Sequence, residues 1–363
     1  MAFYRLLTLV FICYVIHQPL VAQNHQPAIV GVAYQPGTII IHSPNIRHLS
    51  ATHPTGIEVN IQSQTTGNKY WHQLYRYPRI GTSFIYFDYN NPVIGRSFAG
   101  SVYLNLPVAY FQKGQLNFRF GSGLAYLTNK YDRQENPTNN IISAHVNAVI
   151  QFRLEYEYKL NRGLALVTGF GVNHYSNGGN SKPNLGVNIA TGTVGLNFDR
   201  SSSYIPVKQE ERPVEQRNFF AFSSSFGTKQ RNEFDVNTYS VTSMALAWHR
   251  RLNHKSTTIL GLEGFYDKSL YPRRQWDPRV RAGTTPDIKR VALHIGHELN
   301  FGKLALGSQV GYYLYRPYKA DAAFYQLLET RYYIHKNMFL AADLKLHDVF
   351  RADVISYRLG FKI

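Results

Sequence analysis

Val354-Ile355-Ser356-Tyr357-Arg358-Leu359-Gly360-Phe361-Lys362-Ile363 decides the fold class. Successive side chains of a strand point to opposite sides. Ile355, Tyr357, Leu359, Phe361 and Ile363 therefore share one wholly apolar face. Val354, Ser356, Arg358, Gly360 and Lys362 share the other, which is largely polar. Leu304, Leu306, Val310, Tyr312 and Leu314 repeat the pattern, interrupted only by Ser308. Phe98, Gly100, Val102, Leu104, Leu106 and Val108 repeat it again.

Working outward, about sixteen such segments emerge. The first eight begin near Ala28, Thr55, Arg79, Arg96, Gln115, Ile141, Gly163 and Leu185. The second eight begin near Arg217, Val236, Ser256, Ile288, Lys303, Ala322, Asn337 and Ala352. The expectation is an all-β chain: a transmembrane antiparallel up-and-down β-barrel of about sixteen strands. Residues 200–216 (RSSSYIPVKQEERPVEQ) form a polar linker or loop dividing strands 1–8 (residues 23–199) from strands 9–16 (residues 217–363). One large barrel, completed by the second eight strands, is preferred because a connector of that length is an ordinary loop there. Two tandem eight-stranded barrels are the alternative. A soluble β-sandwich would also alternate, but it fits the number of long, aromatic-rich strands less well. If the N-terminus is periplasmic, the turns at Gln112–Gly114, Asn161–Gly163 and His335–Asn337 are periplasmic and short, and the long connectors 128–140 and 268–287 are extracellular.

Composition agrees. The 363 residues include 27 Tyr and 22 Phe, too many aromatics for a disordered chain. A single cysteine excludes a disulfide scaffold. Only the extreme N-terminus has a long apolar run. Residues 1–22 have Arg5, the apolar stretch Leu6–Ile16 and a small residue, Ala22, before Gln23. They read as a secretory signal peptide, and Cys13 would be lost with it. Although the net charge is +17, an exported barrel is no nucleic-acid partner.

One stretch carries chemistry: Gly169–Asn197, GFGVNHYSNGGNSKPNLGVNIATGTVGLN. Leu164, Leu166, Thr168, Phe170 and Val172 share a face that His174 and Ser176 continue. Gly163, Ala165, Gly169, Gly171 and Asn173 lie on the other, which suits a lumen. On the returning strand Asn188, Ala190, Val194, Leu196 and Phe198 share the apolar face. A loop symmetric about Ser181 sets His174 opposite Asn188, with directly opposed Cβ atoms about 5 Å apart. Ser176, His174 and Asn188 would then form a polar line on a lipid-facing surface, where polar groups are costly without a function. Ser176 would be the nucleophile and His174 the general base. Asn188 would hold the imidazole tautomer. Asn177, Gly178 and Gly179 would supply the oxyanion hole.

His174-Tyr175-Ser176-Asn177, followed by Lys182-Pro183-Asn184 and Gly186, resembles the active-site segment of PagL-type lipid A 3-O-deacylases. The resemblance implies an outer-membrane barrel that hydrolyses an acyl ester of lipid A in lipopolysaccharide. It covers about 20 residues, and the layout of the first eight strands is similar. The second half has no counterpart in the small family members. That family typically has Glu where this chain has Asn188. The His-x-Ser-Asn-Gly pattern, with Asn fourteen residues after His, also resembles outer-membrane phospholipase A, which uses a Ser-His-Asn triad. The terminal strand resembles the signal read by the barrel-assembly machinery. The expected function is therefore an outer-membrane serine esterase removing an acyl chain from lipid A. A phospholipase A, or a non-catalytic porin or structural barrel with a vestigial site, is the alternative. No cofactor is expected, apart from Ca²⁺ at Asp132 and Glu135 if the chain is phospholipase-like.

Other signals are weaker. His294 and His297 lie three apart and so on opposite faces of a strand. His42, His48 and His53 surround the first extracellular loop without a recognisable ligand spacing. Arg273, Arg274, Arg279 and Arg281 in the longest loop could hold lipid A phosphates or could be general surface charge.

Overall fold

A computed structural model describes residues 28–199, 206–214, 216–348 and 351–363. The signal-peptide segment, residues 1–22, lies outside the described residues. The sixteen strands are β1 (Ile29–Ile39), β2 (Thr55–Gln64), β3 (Arg79–Asp88), β4 (Arg96–Phe111), β5 (Gly114–Leu127), β6 (Val146–Lys159), β7 (Leu164–Ser176), β8 (Val187–Asp199), β9 (Asn218–Gln230), β10 (Thr238–Arg251), β11 (Ser256–Asp267), β12 (Arg290–Phe301), β13 (Leu304–Tyr315), β14 (Phe324–His335), β15 (Met338–His347) and β16 (Arg351–Lys362). Two short helices, α1 (Tyr70–Leu74) and α2 (Leu270–Gln275), sit in connectors.

The strand count is as expected, but the preferred closure is corrected. β8 returns to β1, pairing Ile29 with Asp199 through Ile39 with Ile189. β16 returns to β9, pairing Ser356 with Gly227 through Lys362 with Ala221. The chain thus forms two closed antiparallel barrels of eight strands, in two compact units. Strands 9–16 do not complete a larger barrel; they close their own. Alternation within strands is identical for either closure, so local pattern favours neither.

Each barrel is polar inside and apolar outside. In the first, Ile57, Phe84, Phe170 and Val194 point outward and are exposed. In the second, Leu246, Leu262, Ile295 and Leu314 do the same. The alternate positions turn inward and are filled with paired charge. Glu58 accepts from Arg119 at 2.7 Å, from Gln35 at 2.6 Å and from Arg153. Arg79 meets Glu157 at 2.6 Å. In the second barrel Arg358 reaches Glu263 and Asp343, each at 2.7 Å. Arg331 reaches Glu298 and Glu329, each at 2.7 Å. Eight strands enclose a lumen just wide enough for side chains to fill. Buried charges need such partners, whereas outward apolar belts need lipid. Among the described residues no helix is long and apolar enough to cross a membrane.

At one end of the first barrel the lumen turns apolar. Ile85, Phe87, Ala99, Leu127, Val149, Tyr175, Val187 and Ile189 point inward from strands. Ile46, Leu49, Tyr89, Ile94, Ile141 and Ile142 pack on them from the connectors β1–β2, β3–β4 and β5–β6. This plug explains the largest error in the predicted strand starts. Ile141 and Ile142 are apolar loop residues, and β6 begins only at Val146. The turns β4–β5 and β14–β15 are short as expected. The connector β2–β3 is long because it contains α1, and the chain after β8 docks on this connector through Val207 N–H to Thr66 O (2.9 Å) and Gln209 N–H to Gln73 Oε1 (2.8 Å).

Candidate active site

The plug supports the site from below. Tyr175 and Val187 are fully buried and inward-facing. Their chain neighbours His174 and Asn188 must therefore face outward. The register matches the symmetric-loop expectation: His174 opposes Asn188 and Tyr175 opposes Val187. His174 Nδ1 lies 2.6 Å from Asn188 Oδ1. Ser176 occupies the next outward position on β7, at the strand's end. Though on the outer face, it is 8 % exposed, because the β7–β8 loop folds over it.

Asn184 organises that loop. Its Nδ2 donates to Ser176 Oγ at 3.1 Å, and its Oδ1 accepts the Asn177 N–H at 3.2 Å. Backbone bonds from Leu185 and Gly186 to the carbonyls of Asn140 and Ile141 pin the returning chain. Gly186 has φ +73°, and a Cβ there would lie 3.0 Å from His174 Cε1 and 3.4 Å from Ser176 Cβ. Only a residue without a side chain lets the backbone pass this close to both groups.

The expected oxyanion donors fare differently. Asn177 has its N–H on Asn184 and its Nδ2 on Ser143 Oγ at 3.1 Å. Gly178 and Gly179 take positive φ, +65° and +90°, conformations that glycine adopts without strain. Asn184, which the sequence offered only as part of a motif, is the side chain brought to the serine oxygen. His42 is a second residue that sequence reasoning did not assign to the site. Its Nδ1 lies 3.0 Å from Asn188 Nδ2. No local signal links positions 146 residues apart; closure of β8 onto β1 does.

A groove runs down the outer wall from this cluster. Its cavity of about 670 Å³ is lined by Pro36, Phe118, Phe152, Phe170, Val172, Ala190 and Gly192, among others. Val172 and Ala190 pair directly with one another, two positions below His174 and Asn188. Phenylalanines stand along the side while Ala190 and Gly192 leave the floor low. A Cβ built on Gly192 meets nothing nearer than Pro36 Cγ at 3.8 Å.

Other candidates separate from this site. His294 turns into the second barrel and His297 outward, as their spacing required. No group of His, Cys, Asp or Glu among the described residues is arranged to hold a metal. Asp132 Oδ1 accepts the N–H groups of Gln134 and Glu135 at 2.8 and 3.1 Å. Those bonds hold its carboxyl below the usual range. Three of the four loop arginines are engaged within their own barrel: Arg273 with Asp321 at 2.7 Å, Arg279 with Asp277 at 2.6 Å, and Arg274 with the Pro286 carbonyl at 2.6 Å; Arg281 is exposed. The Arg279 hydrogen bond keeps Asp277 well below the carboxylate range.

Comparison with known proteins follows the two-barrel division. Residues 55–197 match the family model described as lipid A 3-O-deacylase (PagL). Residues 218–363 match the model described as acyloxyacyl hydrolase, C-terminal domain. No curated protein matches the chain. Among solved structures, the KdgM porin is 9 % identical, with 92 % of this chain and 97 % of that chain covered and a TM-score of 0.19. The P. putida toluene transporter TodX is 9 % identical, covering 94 % and 88 %, with a TM-score of 0.18.

Proposed function

We infer that this chain, matched in both barrels by PagL-type family models, is an outer-membrane serine esterase that removes an ester-linked acyl chain from lipid A. The observation that carries the reading is the outward line Ser176, His174 and Asn188 at the head of an apolar groove. Export by the N-terminal signal peptide and insertion by the barrel-assembly machinery belong to the same proposal.

The chemistry follows from the donors and acceptors. Asn188 Oδ1 only accepts, so the His174 proton sits on Nδ1 and the Nε2 lone pair is left as base. Asn184 donates to Ser176 Oγ, which leaves the hydroxyl proton to be given away. As Oγ attacks the ester carbonyl, that proton passes to His174 Nε2. The carbonyl oxygen becomes an oxyanion, for which the Asn184 amide and the backbone N–H groups of Gly178 and Gly179 are the proposed donors. Collapse breaks the ester C–O bond. The sugar oxygen leaves with the proton from His174, and the acyl group stays on Ser176. Water, deprotonated by the same Nε2, releases the fatty acid and restores the serine. The groove would hold the acyl chain, each buried methylene contributing about 0.8 kcal/mol.

Mass spectrometry of lipid A incubated with the refolded protein tests this reading. Loss of one acyl chain with wild type and none with Ser176→Ala is expected; no loss with either would overturn it. The neutral third member favours a second reading, a phospholipase A. Phospholipid offered with and without Ca²⁺ separates the two. Ion pairs filling both lumens speak against the porin alternative.

A further inference from the structure

Asn188 can serve His174 in only one of its two amide orientations. With Oδ1 toward the imidazole it accepts the Nδ1 proton. Turned over, it presents a donor there and favours the wrong tautomer. The partner on the far side of the amide decides between them, and that partner is His42, just beyond β1.

The bonding roles resolve from the outside inward. His42 Nε2 lies 3.0 Å from the carbonyl oxygen of Leu185. A carbonyl only accepts, so Nε2 carries the proton. His42 Nδ1 then has a lone pair, and Asn188 Nδ2 lies 3.0 Å from it. The competing contact of Nδ1, with the Ile40 carbonyl, is longer at 3.3 Å and would need the other tautomer. With Nδ2 committed to His42, Oδ1 faces His174 at 2.6 Å. Each bond fixes the donor of the next, from the Leu185 carbonyl to the lone pair on His174 Nε2.

We propose that His42 is a positioning residue of the esterase: its Nδ1 holds the Asn188 amide in register and so sets the tautomer of His174. The inference deepens the esterase reading and rests on it for activity. It also gives a physical reason why a neutral side chain can stand third. A carboxylate accepts through either oxygen and needs no partner to orient it, whereas an amide does.

The test is a double-mutant cycle read by kcat and KM on lipid A, with His42→Phe, Asn188→Asp and both together. In the Asn188 background His42→Phe should lower kcat about tenfold, the worth of one orienting hydrogen bond, with KM within twofold. In the N188D background the same change should cost less than twofold. His42→Gln, which retains an acceptor, should recover most of the loss. Equal losses in both backgrounds would make His42 merely structural and overturn the proposal. Histidine-selective ¹⁵N NMR in micelles reads the His174 tautomer without any turnover. Wild type should show the proton on Nδ1 and His42→Phe a mixture; an unchanged tautomer in His42→Phe would also overturn it. If wild type hydrolyses nothing, the esterase reading fails while the NMR still decides the role of His42.

Discussion

Gly186→Ala is the sharpest perturbation of the proposed site that removes none of its side-chain atoms. The new methyl would sit 3.0 Å from His174 Cε1 and 3.4 Å from Ser176 Cβ. Carbon atoms prefer about 3.5–4.0 Å, so the imidazole must retreat by roughly half an ångström or more. It cannot do so freely, because Nδ1 is held 2.6 Å from Asn188 Oδ1. The positive φ of +73° adds about 1–2 kcal/mol of backbone strain for a residue with a Cβ. A misplacement of about 1 Å at a reacting centre can cost 10²-fold, so a retreat of about half that distance should lower kcat about tenfold. KM should stay within twofold, because the groove is untouched. Gly100→Ala is the control, since a methyl there meets nothing within 4 Å and Gly100 does not line the groove. The assay is initial-rate release of fatty acid from lipid A in detergent micelles, with heat-modifiability on gels to confirm folding. If G186A and G100A are equally active while both fold, the proposed closeness of loop, base and nucleophile is wrong.

Further outcomes follow from the same geometry. Asn184→Ala should lower kcat about 10²–10³-fold, as loss of one oxyanion donor does, whereas the same change at Asn177 should cost less; single-turnover kinetics separates them. Ala190→Phe should fill the groove floor and raise KM for long acyl chains more than for short ones, measured with esters of graded length. On the proposed mechanism His174 acts as the neutral imidazole, so activity should fall on acidification as the ring takes up a proton; a pH profile with no acid limb over the range in which the barrel stays folded would remove it as base. Glu58→Gln removes the charge facing Arg119 and Arg153. Breaking such a buried cluster costs about 3–5 kcal/mol, which should appear as a lowered unfolding temperature.

Much of this was legible in the sequence, for identifiable reasons. Period-two alternation reports which side of a strand faces lipid, so faces and most strand starts could be read directly. The β7–β8 register followed from the symmetry of one loop, and with it the His174–Asn188 pair. Closure was not legible, because the pairing of β1 with β8 joins residues about 150 or more apart and leaves no local mark. His42 was missed for the same reason, since only that closure brings it to Asn188. Asn184 was visible as a motif residue, but its reach back to Ser176 depends on how the loop turns at Gly186. Apolar Ile141 and Ile142 imitated a strand because plug and strand use the same residue types.

The placement of the groove on the outer wall has a kinetic consequence. The first barrel is plugged at its loop end and filled with ion pairs below, so nothing need pass through it. A lipid substrate would reach Ser176 sideways, by diffusion within the leaflet, and its product would leave the same way. The enzyme would then sample a two-dimensional solution. Its velocity should saturate with the mole fraction of substrate in the micelle or bilayer, and adding inert detergent at fixed total substrate should slow it by surface dilution alone.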